Sequence, residues 1–386
     1  MKDRVQVELE RAGSDVRRIL NKVMEGIPAA DEEVFVLANA AGADVDAMAA
    51  VADDLREKVV GEDITFVLNR NMNFTNICFV GCKFCGFSRT NAKNGYFLGL
   101  DALAEKAAEA WQEGAGEVCI QGGLTEQMPA DYYIQIVKRL KETLPDLHLH
   151  AYSPMEIDYG AERMGLSVKE YLELLKEAGL GSIPGTAAEI LDDDIRAQLS
   201  PVKLTADRWE EIIRTAHQVG LRSTSTMMYG HVEDYDDWAR HLLRLRRIQR
   251  DTGGFTEFVP LGFIHSNTHI FRIGKAKAGG TEEDHIKMHA LARIVFYGLI
   301  DSIQVSWVKI GPEGAKKCLQ AGANDFGGTL MEENISREAG SQFGSAMTAE
   351  EIAGHIEAIG RRPVVRDTLY ERFTPFADMR THEKVK

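Results

Sequence analysis

From about residue 63 onward, short apolar runs alternate with amphipathic stretches, and this alternation limits the possible folds more than any other feature of the chain. The runs are ITFVLNRNMNF (64–74), EVCIQGG (117–123), LHLHAYSP (147–154), LGSIPGT (180–186), RSTSTMMYG (222–230), FTEFVPLGFI (255–264), SIQVSWVKI (302–310) and ANDFGG (323–328). Between them lie helical stretches such as LDALAEKAAEAWQEG, SVKEYLELLKEAG and YDDWARHLLRLRRIQRDTG, several of which end in Gly as helix C-termini do. Strand and helix units in this succession predict an α/β chain whose parallel sheet closes into a (β/α)8 barrel of the TIM type. The spacing varies and the segments do not repeat, so a solenoid is excluded.

The flanks read differently. Residues 1–62 predict an N-terminal helical extension, with Asp31 and Asp44 ahead of stretches that carry apolar residues at helical spacing. The barrel is expected over 63–360. Residues 361–386 are expected to be a polar, irregular tail. Polar residues gather where the predicted strands end, at Gln121-Gly122-Gly123, His150 to Glu156, Thr186 to Glu189 and Tyr229 to Glu233. In such a barrel that rim is where active sites are built.

Five cysteines, three of them within eight residues, do not form a disulfide framework. They stand as Cys78, Cys82 and Cys85 in NICFVGCKFCGFSR, directly after the first predicted strand. Three thiolates from one loop can hold three irons of a [4Fe–4S] cubane and leave the fourth iron open. Structural zinc takes four closed ligands, commonly including His, and no His stands nearby. Cys119, inside a strand run, and Cys318, inside a helical one, read as packing thiols.

This loop, with aromatic Phe84 before its last cysteine, resembles the hallmark of the radical S-adenosylmethionine (SAM) superfamily. The resemblance extends over most of residues 60–375 and implies that SAM binds the open iron. Reductive cleavage then yields a 5′-deoxyadenosyl radical. The strings NRNMNFTNICFVGCKFCGF, HAYSPMEI, PGTAAEIL, TSTMMYGHVE, TGGFTEFVPL and ANDFGGTLMEENISREAG resemble one group within that superfamily. It comprises the deazaflavin-forming synthase and two menaquinone-pathway enzymes, aminofutalosine synthase and cyclic dehypoxanthinyl futalosine synthase. At Pro184 to Ile190 and Thr256 to Leu261 the chain is similar to the tyrosine-using subunit of the deazaflavin synthase, with the menaquinone enzymes as the alternative.

That likeness implies transfer of a 4-hydroxybenzyl group from L-tyrosine to 5-amino-6-(D-ribitylamino)uracil, with iminoglycine released. It also implies a one-electron donor and a second radical SAM subunit that closes the ring, since this chain carries one cysteine triad.

The resemblance places Gly122 and Gly123 against the SAM amino group. Glu189 suits the ribose hydroxyls and Arg196, seven residues on, the SAM carboxylate. His150 and Glu233 are the candidate catalytic groups. Asn73, Tyr152, Ser153, Glu156, His231 and Glu257 are candidate substrate contacts. The formal charge of −14 without a basic block argues against nucleic acid or anionic membrane as partner. No apolar segment is long enough for a membrane span or a signal peptide, so a cytoplasmic location is expected.

Overall fold

The computed structural model describes residues 2–383. The expected strand runs fold as β1 (Asp63–Val67), β2 (Asn69–Met72), β3 (Glu117–Ile120), β4 (His148–Ala151), β5 (Ser182–Ile183), β6 (Arg222–Tyr229), β7 (Phe255–Gly262) and β8 (Asp325–Gly328). β2 through β7 are successive parallel neighbours. Ile303 then bridges to Phe258 of β7 and Gln304 to Asp325 of β8, which supplies the missing member between them. β8 pairs with β1, and β1 runs through Leu68 into β2. The ring therefore closes as a TIM-type barrel.

Local chemistry sets the helices between the strands. Pro154–Met164 and Val168–Ala178 each begin on a serine whose hydroxyl caps the helix while a glutamate three residues later reaches back, and each ends on a left-handed glycine, Gly165 and Gly179. Ahead of β1, helices run over 2–11, 14–24, 31–38 and 43–60. Helix Ala43–Val60 is buried along most of its length and packs against Glu282–Phe296, an outer helix of the barrel.

Two expectations are corrected. The run 302–310 is not a strand throughout: only Ile303 and Gln304 bridge, and a helix starts at Trp307. The C-terminal segment is not irregular over residues 361–383, and residues 384–386 lie outside the described residues. It forms β9 (Arg362–Arg366), parallel to β1, and β10 (Phe373–Pro375), antiparallel to β9. Its charge pattern hid this, because arginines flank the apolar pair Val364-Val365.

β9 has a consequence for the barrel interior. It carries Arg366 into the core, where Nε donates to Asp325 Oδ2 at 2.7 Å and Nη2 to Glu257 Oε2 at 3.3 Å. Tyr370 donates to the same two carboxylates, and Thr65 Oγ1 donates to Asp325 at 2.6 Å. Burial pushes the Glu257 carboxyl up, and the guanidinium works against that rise. Buried charges survive when paired and hydrogen-bonded, and this network meets that condition.

Candidate active site

Two confluent cavities, each of about 260 Å³, occupy the interior and one rim of the barrel. The outer one is lined by Cys78, Cys82 and Cys85 together with Phe84, Gly122, Gly123, Ser153, Glu156 and Glu189. The inner one is lined by Asn73, His150 and Glu257, with Asn69, Asn71, Glu117, Gln304 and Arg366 around them. Gln121, Thr186, Thr226, Leu261, Ile335 and Lys309 border both, so the two spaces meet.

The cysteine loop is seated by the end of β3. A Cβ at Gly123 would fall 2.2 Å from the Ile77 carbonyl oxygen and 3.0 Å from Cys78 Cβ, and one at Gly122 would strike the Phe74 ring at 2.3 Å. The two glycines therefore admit the loop that carries the thiols. Burial pushes Cys82 up to about 11 against the pull of Lys203, and it also pushes Cys78 up. Among the described residues no three His, Cys, Asp or Glu side chains converge on one ion position. A cubane needs no such convergence, because each thiolate takes its own iron. The donor set thus fits a cluster with one open iron.

Glu189 lies across the outer cavity, in a turn where Ala187 and Glu189 both adopt positive φ, 61° and 40°. Arg196 holds that turn. Its guanidinium donates to the carbonyls of Ala188 at 2.5 Å, Leu204 at 2.7 Å and Ala187 at 3.2 Å. Nη1 also stands 3.6 Å from Glu189 Oε2. With its donors turned to these groups, Arg196 does not line the cavity, which corrects its expected role at a SAM carboxylate. Lys203, which sequence reasoning missed, does line it. Its ammonium donates to Glu189 at 2.6 Å and sits 5.2 Å from the centre of the Phe84 ring.

Glu156 and Ser153 reach the outer cavity, but as a capping pair. Gly122 N donates to Glu156 Oε1 at 2.9 Å, and Ser153 Oγ to Oε2 at 2.6 Å. Burial pushes the Glu156 carboxyl up to about 7 although these bonds pull it down.

Three other expected residues lie outside both cavities. Tyr152 is fully buried and donates to the Tyr133 carbonyl at 2.8 Å. Glu233 accepts from the Gly230 N–H, the His231 N–H at 2.8 Å and the Trp238 indole at 3.0 Å. His231 is fully buried beside it, with Nε2 2.8 Å from the Met228 carbonyl. Both residues are consumed in shaping the turn after β6, which corrects the expectation that they face substrate.

In the inner cavity His150 Nδ1 pairs with Ser182 Oγ at 2.7 Å, and burial pushes the imidazole down to about 4. It is therefore neutral near pH 7. Among the described residues the side-chain oxygen of Asn73 is buried without a partner, while its amide donates to the Gln121 carbonyl at 3.1 Å. An orphaned acceptor on a cavity wall is satisfied when a ligand brings a donor. Asn69, Asn71, Gln304 and Arg366 were not singled out from sequence, yet Asn69-x-Asn71-x-Asn73 carries a legible signal: alternate residues of a barrel strand share one face.

The chain matches the family model of the radical SAM superfamily over residues 72–245 and that of the CofH/MqnC C-terminal region over 252–379. It is 52% identical over 324 residues to the 5-amino-6-(D-ribitylamino)uracil–L-tyrosine 4-hydroxyphenyl transferase of Methanocaldococcus jannaschii, covering 83% of this chain and 90% of that protein. It is 52% identical over 366 residues to FO synthase of Nocardia farcinica, covering 94% of this chain, but it spans only 42% of that protein's length. Among solved structures, the FeFe-hydrogenase maturase HydG of Carboxydothermus hydrogenoformans superposes with a TM-score of 0.74 at 15% identity, over 95% of this chain and 83% of that one. Methylornithine synthase superposes at 0.70 and 18%, over 94% and 99%. These last two likenesses concern the fold.

Proposed function

This chain belongs to the radical SAM family that includes FO synthase and the tyrosine 4-hydroxyphenyl transferase, and from that premise we propose that it joins the 4-hydroxybenzyl group of L-tyrosine to 5-amino-6-(D-ribitylamino)uracil. The carrying observation is the confluence of the two cavities, one walled by the cysteine triad and the other by polar groups fit for a polyhydroxylated substrate. The superfamily implies a [4Fe–4S] cluster and SAM, which supply hydrogen-atom abstraction when bound.

The chain's own residues hold and orient. Cys78, Cys82 and Cys85 would hold three irons. Glu189, kept in place by Lys203 and by the turn that Arg196 staples, would accept ribose hydroxyls, and Phe84, Gly122 and Gly123 wall the same space. Neutral His150, the free Asn73 oxygen and Glu257 supply hydrogen-bonding groups to the uracil and its ribityl chain. A second radical SAM chain or domain would complete the deazaflavin. Among the described residues no helix is long and apolar enough to cross a membrane, and we assign the enzyme to the cytoplasm.

The test is anaerobic incubation of the reduced, cluster-loaded enzyme with SAM, tyrosine and the diaminouracil. Consumption of tyrosine that depends on the uracil supports this reading. SAM cleavage with tyrosine untouched would favour the menaquinone-pathway alternative, which has less support.

A further inference from the structure

Lys309 stands in the short helical turn at residues 307–310, ahead of the break at Gly311 (φ 75°) that separates it from the helix running on to Leu319, and borders the outer and inner cavities alike. Among the described residues its ammonium has one hydrogen bond, to the neutral hydroxyl of Ser336 at 2.7 Å. Ser336 in turn donates its backbone N–H to Glu333 Oε1 at 2.7 Å. Glu333 also faces the inner cavity, where Asn71 donates to its other oxygen. A cation and an anion thus flank a single serine at the junction of the two chambers. Neither is exhausted: an ammonium has three donors and a carboxylate about four acceptor positions. A charge on a cavity wall with one neutral partner is costly unless a ligand completes its pairing.

We propose that Lys309 and Glu333 form a clamp for the zwitterion of the amino-acid substrate, with Lys309 on the α-carboxylate and Glu333 on the α-ammonium. The inference rests on the function proposed above and deepens it, since it assigns the amino-acid end of the substrate pair to the chamber junction. Opposite charges of fixed order recognise the head of an α-amino acid and leave its side chain to the rest of the site. The polyhydroxylated substrate falls to the Asn73, His150 and Glu257 walls of the inner chamber.

The experiment is calorimetry on the unreduced enzyme loaded with cluster and SAM, so that no turnover occurs. L-Tyrosine, tyramine and the deaminated acid are titrated into wild type, Lys309→Gln, Lys309→Arg and Glu333→Gln, with the melting temperature of each recorded. Wild type should bind tyrosine more tightly than either analogue. Lys309→Gln should weaken tyrosine and the deaminated acid by tenfold or more and leave tyramine unchanged, while Lys309→Arg recovers much of the loss. Glu333→Gln should weaken tyrosine and tyramine and spare the acid. Equal weakening of all three by Lys309→Gln, or none, overturns the clamp while leaving the function intact. A loss of SAM affinity with tyrosine binding unchanged gives Lys309 to the cofactor and likewise overturns it. If wild type binds none of the three, the function proposed above falls as well.

Discussion

Lys203 donates to Glu189 across 2.6 Å, and the pair lies almost wholly out of solvent beside the cysteine loop, with the two side chains 12% and 10% exposed. Removing Lys203 leaves the buried Glu189 with only Arg196 Nη1, 3.6 Å from its Oε2, and removing Glu189 leaves Lys203 without its carboxylate, whereas removing both removes the conflict. Lys203→Met alone should therefore destabilise the protein by up to about 3 kcal/mol, the remaining Arg196 contact limiting the loss, and weaken SAM binding. The double variant Lys203→Met/Glu189→Gln should regain part of the stability but none of the SAM affinity. Chemical denaturation and SAM titration of the two single variants and the double variant check this. Strictly additive losses in stability would show that the pair is not coupled.

The cysteines divide by position. Cys82→Ala should abolish cluster retention and SAM cleavage, because Cys82 lines the outer cavity next to Ser200, 3.1 Å away. Cys318, fully buried in an outer helix, and Cys119, on the wall of the inner cavity, should each tolerate Ala with iron content unchanged. Cys119→Ala should lower turnover at most modestly. Iron and sulfide analysis of the three variants decides. Iron lost from either of the last two would contradict the ligand set.

Glu233 gives a pH signature of a structural role. Burial pushes its carboxyl up, but the His231 imidazole, the Gly230 N–H and the Trp238 indole pull it further down, to about 2. A carboxyl held below its unfolded value contributes stability above that value and loses it as the pH falls through the folded one. Wild type should exceed Glu233→Gln by on the order of 3 kcal/mol at neutral pH, with the difference shrinking between about pH 4.5 and pH 2. The pH profile of turnover should not move. Denaturation across that range is the check, and a shifted activity profile would restore Glu233 to the chemistry.

The barrel and its cluster loop were legible because both are local. Alternating strand and helix runs need only neighbouring residues, and Cys78, Cys82 and Cys85 stand together in one short loop. The walls of the inner chamber were not, since they are assembled across the chain. Asn69 and Glu117 meet Arg366 from β9, whose arginine-rich string reads as solvated tail, and Lys309 sat in a run whose second half proved helical. Residues at strand ends misled in the other direction. His231 and Glu233 stand at the expected rim, yet the backbone N–H groups of Gly230 and His231 and the Met228 carbonyl claim their side chains. Arg196 fell to the same cause: a turn with positive φ at Ala187 and Glu189 needs a donor to hold its carbonyls.

The proposed transfer breaks one bond of tyrosine, between Cα and Cβ. Tyrosine labelled with ¹³C at Cβ, and separately at Cα, can be followed through a single incubation with reduced enzyme, SAM and the diaminouracil, and the products weighed by mass spectrometry. The account predicts that the Cβ label appears in the ribityl-bearing product and the Cα label in the two-carbon fragment derived from iminoglycine. Both labels in one product, or tyrosine recovered intact while SAM is consumed, would contradict it.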